Sequence, residues 1–487
     1  MKTTGKLFFL LLLLFSLKNP VNGSEPSAIK GVMDLREAAH NDFLIKLDGE
    51  WEFYWSKMLR PQDFSEHKFL KPDLYGKVPS YWTDYPDDSV KTAGYGFATY
   101  RLIVLLPAGY RNSLGFNMPV FDSSYEIYFD GKLMGSNGAP GKTKSETVPG
   151  YERLFFRFNP SSDSIQIIIN VSNFHHRRGG FWLPIKIGTF SEVQKKLASG
   201  WARDWATISF LLGFSLLFFF FFIIYTKDSQ MGFFSLATTG LALRPLFTSN
   251  FLIYNIMRMS WVWMVRWEYQ GLYLILTGWF WFTATLYPTR YFRITTWIIT
   301  IIFSVAAVLT LFLPVRIFSY MTFIIYPLLI ILIVYSLTSS IRGILKKNRV
   351  DYIYFSTFAI LSLTVIHDVR ISLGRKAVFS EYILAYIIIF FVFIQAVLLL
   401  YKWVKSYSEK EKLQKELEYV NRNLEMLVNE RTQEINARRE EIENQNIKIA
   451  NQNKQLSETI QLKNKIFSVI AHDLRSPVVN ILYMLNL

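Results

Sequence analysis

The residues with the plainest chemical capacity lie in the segment Asn464-Lys-Ile-Phe-Ser-Val-Ile-Ala-His-Asp-Leu-Arg-Ser-Pro-Val478. Ile466, Ile470, Leu474, Val478, Ile481 and Leu485 recur at helical spacing and form one apolar stripe, as in a helix that buries a face in a dimer or four-helix bundle. At 100° per residue His472 falls about 170° from the centre of that stripe, so its imidazole points to solvent. A neutral imidazole is nucleophilic near pH 7 and can accept the γ-phosphoryl group of ATP in line. Asp473 would then hold or deprotonate the ring, and Mg2+ would neutralise the phosphates. Pro477, one turn on, would loosen the helix. The plain alternative is a solvated histidine beside a solvated carboxylate.

Other chemistry is poorly represented. The chain has no cysteine, which excludes disulfides, a thiol nucleophile and thiolate metal sites. It has no Gly-rich phosphate loop, and no glycosidase carboxylate pair can be assigned. His175 and His176 are adjacent and lack helical ligand spacing, so a surface or turn role outweighs metal binding. Arg177, Arg178, Gly179 and Gly180 read as a flexible basic loop near the bilayer or a ligand. Trp51, Trp55, Trp82 and Trp182 could stack on a carbohydrate or other ligand ring, against the alternative that most of them are core.

The elements that position these residues follow from composition. With 487 residues, 51% hydrophobic, the chain is too long for one domain and too apolar for a purely soluble protein. The net charge of +15 is spread through loops and helix flanks with no nucleic-acid motif, so it is assigned to lipid headgroups and nucleic acid is excluded as a partner. Lys2 and Lys6 precede the apolar run Leu7 to Leu17, and Val21 with Gly23 suits cleavage, so 1–23 reads as an export signal, with an uncleaved anchor as the alternative.

From 24 to 198, short apolar runs alternate with Gly, Pro, Asp and Asn. Tyr100 to Leu106, Leu114 to Met118, Tyr125 to Phe129 and Ile165 to Val171 are predicted strands, with a tight hairpin at Asp130-Gly131. An all-β sandwich is the economical fold.

Within 199–401, seven apolar runs reach membrane length: about 205–226, 231–253, 267–287, 294–313, 317–340, 350–370 and 380–401. The second is interrupted by Arg244-Pro245. An odd count carries the chain from outside to inside, although Arg and Lys on both sides leave the orientation to the export signal and the far end. Arg244, Glu268, His367 and Asp368 fall near the outer ends of spans two, three and six, where charge needs partners or water. They read as a ligand or coupling network, or as a structural ion-pair cluster.

From 402 to 463 the chain turns polar and helix-forming. Leu413, Leu417, Val420, Leu424 and Leu427 keep coiled-coil spacing, as do Ile435, Ile442, Ile449 and Leu456, with a register slip between Leu427 and Ile435. A helix from 402 to 466 would reach roughly 95 Å and is expected to pair in a parallel homodimer.

Three resemblances accompany these patterns. Gly49-Glu-Trp-Glu-Phe-Tyr-Trp55, Gly96-Phe-Ala-Thr-Tyr-Arg101, Asp130-Gly-Lys-Leu133 and Val171-Ser-Asn173 resemble the jelly-roll, galactose-binding-like ectodomains of bacterial receptors and of some glycosidases. That implies ligand binding, with carbohydrate as a candidate, and no hydrolysis. Tyr269-Gln-Gly-Leu-Tyr273, His367-Asp368 and the order of elements resemble the seven-helix module of the diverse intracellular signalling receptors. No Lys in the seventh span suits a retinal, since Lys402 sits at the edge.

Phe467, Ser468, His472, Asp473, Leu474, Arg475 and Pro477 match the dimerisation and phosphotransfer segment of sensor histidine kinases nearly residue for residue. The resemblance implies that His472 is the phospho-acceptor, that Asp473 takes part in transfer, and that Arg475 and Pro477 shape the helix. It implies two-component signalling to a response regulator from the bacterial inner membrane, with 464–487 as the first, partial helix of a four-helix dimerisation bundle. ATP and Mg2+ would be held by an ATPase domain, for which these residues supply no boxes, so the chain is expected to be inactive alone. The competing reading is a non-catalytic receptor or scaffold that acts through its coiled coil.

The topology is testable because the chain has no native cysteine. Single cysteines at Ser145 and Ser457 should differ in intact spheroplasts, with an impermeant thiol reagent labelling only the first. Labelling at Ser457 but not Ser145 overturns the orientation.

Overall fold

A computed structural model describes residues 26–39, 42–66, 70–85, 92–120, 122–224, 229–248, 250–372 and 383–485. The expected export segment 1–23 lies outside them. The chain divides into two compact units, Met1–Leu399 and Leu400–Leu487.

The first unit opens with two sheets. In spatial order the larger runs β4 (Leu74–Val78), β3 (Gly49–Trp55), β5 (Gly96–Leu105), β10 (Ser164–Asn173), β7 (Ser124–Phe129) and β8 (Lys132–Asn137). β1 (Val32–Asp34) lies parallel to the far half of β5. The smaller sheet runs β2 (Leu44–Lys46), β11 (Lys186–Thr189), β6 (Leu114–Asn117) and β9 (Phe155–Phe158). The two sheets meet through aromatic rings: Phe116 of β6 stands 4.4 Å from Phe129 of β7, which is 5.2 Å from Phe156 of β9. Burying each such side chain contributes roughly 1.5–3 kcal/mol.

Alternation explains the strands. Tyr125, Ile127 and Phe129 are fully buried, as are Ile167, Ile169 and Val171 across the ladder and Ile165 farther back on β10. β10 is central and covered on its second face too. There Asn170 donates to the Leu59 carbonyl at 3.0 Å and accepts from Thr99 Oγ1 at 2.6 Å, which satisfies polar atoms that burial would otherwise penalise. The predicted hairpin forms between β7 and β8. Phe129 pairs with Lys132, while Asp130 and Gly131 take φ of 46° and 83°, as a two-residue turn requires.

Long helices follow: α1 (Phe190–Ile224), α2 (Ser229–Phe247), α3 (Trp261–Leu286), α4 (Arg290–Phe312), α5 (Thr322–Leu345), α6 (Arg349–Ser372) and α7 (Leu384–Met484). α1 starts directly after β11, earlier than the expected boundary at 199. By length and composition five segments are able to cross a membrane: α1, α4, α5 with the turn before it, α6 and the start of α7. The chain is therefore a membrane protein. α2 and α3 fall short of that composition because Gln230, Arg244, Arg266, Glu268 and Gln270 interrupt them, and Trp and Tyr add little hydropathy. They are shielded instead, with α2 packed between α1 and α3.

That packing is close. A Cβ on Gly278 would lie 2.5 Å from the Ala237 nitrogen, and one on Gly240 would lie 2.7 Å from the Ile275 nitrogen, so only glycine lets the two backbones approach. Across the other face of α2, Ser215 Oγ donates to the Ser235 carbonyl at 3.1 Å, and Ser235 Oγ donates to the Ser215 carbonyl at 2.8 Å. Accordingly, Gly278→Leu should destabilise the detergent-solubilised chain by about 1–3 kcal/mol through overpacking, read as a lowered thermal midpoint. Gly213→Leu, with open space around its Cα, serves as the control. Equal midpoints for the two variants would refute the close α2–α3 approach.

Candidate functional site

Among the described residues, two places carry side chains able to act. The first is where the end of β10 meets the helices. Asn173 closes the last ladder position of β10, and its amide shapes the next turn by donating to the carbonyls of Gly94 at 2.8 Å and His176 at 2.7 Å. Its Oδ1 accepts from the His176 nitrogen at 3.1 Å. The turn returns past Trp82, and a Cβ on Gly179 would lie 2.3 Å from that indole, so the glycine is required by close approach.

The turn so formed seats its charged residues inward. Arg177 Nε donates to the Ser319 carbonyl at 2.9 Å, and its guanidinium lies 5.1 Å from the Phe323 ring centroid. Tyr269 of α3 donates its hydroxyl to the same carbonyl at 3.0 Å. Arg178 lies over Tyr81 at 5.2 Å. His176 is buried, with Nδ1 3.2 Å from Asp122 Oδ2. The Asp122 carboxylate also accepts from the Tyr151 hydroxyl. Tyr151 in turn packs on Phe251 and Trp261, at 4.6 and 6.0 Å. Burial and the Asp122 charge hold the Tyr151 phenol far above its ordinary pKa.

The 177–180 segment is thus a docked connector and not the free basic loop expected from its composition. Its charges find acceptors and rings among the helices. Asp122, Tyr151 and Ser319 were not singled out from sequence, because their partners come from other elements and no local pattern marks them.

Of the four charged span residues, Glu268 is partly buried at this junction, in the field of Arg244, Asp122 and Arg178. His367 and Asp368 sit elsewhere. Asp368 accepts from the backbone nitrogens of Ile383 and Leu384 at 3.1 and 3.0 Å, capping the start of α7, and His367 Nδ1 is 2.9 Å from its Oδ1. A second polar link lies between Arg153 and α1. The Arg153 guanidinium covers Trp201 at 5.3 Å, and burial lowers its pKa to about 10, although Asp204 opposes this. Asp204 accepts from Arg203 Nε at 3.3 Å and from Asn250 Nδ2 at 2.7 Å, and Arg203 donates to the Tyr386 hydroxyl of α7 at 3.1 Å.

The tryptophans do not make a stacking platform. Trp51 and Trp82 are wholly enclosed, Trp51 against Phe181 and Trp82 edge-on to Trp55 at 5.0 Å. Trp55 and Trp182 are partly buried against the same core. Hydrophobic burial between the sheets outweighs ligand display for these large rings. Among the described residues, no three His, Asp or Glu side chains gather as metal ligands would.

The second place is in Leu400–Leu487. The helix runs through Pro477 without a break, to Met484. The His472 side chain is 85% exposed, which leaves the ring open to a reacting partner, and its Nδ1 lies 3.5 Å from Asp473 Oδ1. Arg475 and Pro477 are exposed, as are Ile466, Ile470, Leu474, Val478 and Ile481 on the opposite stripe.

No family model matches the chain, and no curated protein matches it. Among solved structures, the β-glucuronidase of Ruminococcus gnavus aligns at 15% identity and a TM-score of 0.23, over 31% of this chain and 29% of that enzyme. Its complex with D-glucuronic acid aligns at 15% identity and the same TM-score, over 31% and 30%. The aligned part spans under a third of those enzymes, and so slight a likeness carries neither fold nor activity across.

The buried histidine supplies a pH test. Burial, most of all, holds His176 below its ordinary value of 6.5; Asp122 opposes this, and Arg177 and Arg178 add to it. The unfolded chain therefore takes up a proton that the folded chain refuses, so stability is intact above 6.5 and is lost as pH falls below it. In His176→Gln the thermal midpoint should fall less than in wild type between about pH 7.5 and about pH 5. Identical pH slopes would show that this imidazole is not what the acid loss reports.

Proposed function

We propose that the chain belongs to two-component signalling: a signal received outside or within the membrane controls ATP-dependent phosphorylation of His472, which passes the phosphoryl group to an aspartate of a response regulator. The observation that carries this reading is the Asn464–Val478 motif, with His472 and Asp473 side by side on a helix and the imidazole open to solvent. His472 is the nucleophile. Asp473 orients the ring or takes its proton, and Arg475 and Pro477 shape the helix. ATP and Mg2+ come with an ATP-binding domain that docks on this face.

The finer architecture belongs to the same reading. The two facing sheets are a jelly-roll-like sensor outside the cytoplasm, α1 to α6 with the start of α7 make a seven-span bundle, and the remainder of α7 is a cytoplasmic dimeric coiled coil. Support for seven spans comes from α2 and α3, which are helical and shielded by neighbours, so their charged residues need not meet lipid. The docked turn after β10 is the coupling element, and Arg244 with Glu268 belongs to it. His367 and Asp368 fix where the output helix begins.

The test uses the whole chain in membranes, the ATP-binding domain of a related sensor kinase added in trans, Mg2+ and labelled ATP. Acid-labile, base-stable label should appear on the chain. His472→Gln should abolish it, and Asp473→Asn should slow it by about 10-fold to 1000-fold if the carboxylate handles the proton. Undiminished label in His472→Gln removes the residue on which the reading stands. A receptor that only recruits partners would show no label while its dimer persists.

A further inference from the structure

The turn between α4 and α5 carries a groove that the phosphotransfer reading does not use. Tyr95, just before β5, meets Arg316, Ile317 and Tyr320 there, and the four line an open groove of about 440 Å3. The Arg316 guanidinium stands 4.0 Å from the centroid of the Tyr95 ring, and the Tyr95 hydroxyl faces both Arg316 and Tyr320. Arg316 is held here by the Tyr95 ring and hydroxyl, in place of a carboxylate among the described residues, so its positive charge lies uncompensated at the edge of the groove. Directly beyond, Phe323 and Ile324 begin the membrane-length helix with their side chains exposed, and Ile317 is exposed beside them.

The surface therefore has two chemistries in sequence: one cation with two phenols, then an apolar strip running down a spanning helix. We propose that this groove binds the phosphate headgroup of a glycerophospholipid in the leaflet on the β-sheet side, with the acyl chains laid along Phe323 and Ile324. The proposal rests on the membrane-spanning reading of α4 and α5. A single arginine in an open groove holds free phosphate weakly, since water competes for the same charge. A lipid adds the apolar contact at each buried methylene, and tyrosines placed at the headgroup layer suit its mixed polarity. A soluble sugar would use the phenols but leave both the charge and the strip unmatched.

The position gives the site a consequence. Ser319 lies in the same turn, and its carbonyl receives both Arg177 and Tyr269. Phe323 underlies the Arg177 guanidinium. A headgroup seated against Arg316 therefore braces the very turn on which the β10 connector docks, and lipid composition acts on the coupling element.

Native mass spectrometry on the full chain in detergent tests this, with phosphatidylglycerol, with diacylglycerol as the same chains without phosphate, and with inorganic phosphate as competitor. Wild type should retain phosphatidylglycerol about tenfold better than diacylglycerol. Arg316→Ala and Tyr95→Phe should both reduce that retention, and Arg342→Ala, at the other end of α5, should not. Tyr95→Phe keeps the ring and decides the matter if Arg316→Ala does not fold. Equal retention of diacylglycerol, undiminished retention in the folded variants, or displacement by inorganic phosphate as effective as by lipid would each overturn the proposal. The readout is lipid retention, so loss of label at His472 leaves it standing, and failure here leaves the phosphotransfer reading untouched.

Discussion

The carbonyl of Ser319 accepts from two donors that belong to different parts of the fold: Arg177 on the turn after β10, and Tyr269 on α3. A guanidinium taken out of water has to spend its N–H groups on acceptors or rings, because an unpaired charge in a poorly solvated place costs several kcal/mol. Arg177 meets that demand at one carbonyl and one phenyl face, which fixes the turn relative to the helices beneath it. Asn173 fixes the same turn relative to the sheet. The last residues of the central strand and the start of α5 are thereby held in one register, and the Asp122, Tyr151 and His176 cluster beside them follows from it.

Downstream of that contact the helices have little freedom to absorb a displacement individually. α2 and α3 touch backbone to backbone at Gly240 and Gly278, and α1 and α2 exchange hydroxyl–carbonyl bonds through Ser215 and Ser235. Such contacts have few intermediate arrangements, so a shift tends to move helices as bodies. The start of α7 is held at two points, by the Asp368 carboxylate on its first backbone nitrogens and by Arg203 on Tyr386. Arg203 shares Asp204 with Asn250, and Asp204 lies in the field of Arg153 from the segment leading to β9. A second series of contacts therefore runs from the segment leading to β9 to α7 without passing through Ser319. On the proposed reading, the two routes allow signals of different origin to converge on one helix.

Much of this was legible where the physics is local. Alternation in Tyr125, Ile127 and Phe129, and the Asp130-Gly131 turn, follow from a pleat of period two and from which residues tolerate positive φ. The apolar stripe opposite His472 follows from the helical period. What was not legible depended on partners distant in the chain. The tryptophans were open to two readings, ligand platform or core, because a large ring serves either, and the opposing sheet decides for core. Arg177 and Arg178, next to two glycines, read as mobile because sequence does not show a distant carbonyl waiting for them. α2 and α3 read as spans on length, while their charged residues make sense only once neighbours are seen to shield them. Asp368 was noted as a charge near a span end, and its actual partners, the Ile383 and Leu384 nitrogens, follow from the fold alone.

The face proposed for phosphotransfer raises a constraint of its own. In the single chain, Ile466, Ile470, Leu474, Val478 and Ile481 are exposed on one side of the helix while His472 is exposed on the other. An apolar stripe of that length is unfavourable in water, and on the proposed reading it is buried against a like surface. Because the histidine lies about 170° from the stripe's centre, burying the stripe leaves the imidazole free. Association and reactivity thus make no competing demand on the same residues. A histidine within the stripe would have had to choose between them. On the proposed reading, this is why one short helix can both pair with its copy and present a nucleophile, and why a change of packing along the stripe would alter the access of a docking domain to His472 without touching its chemistry.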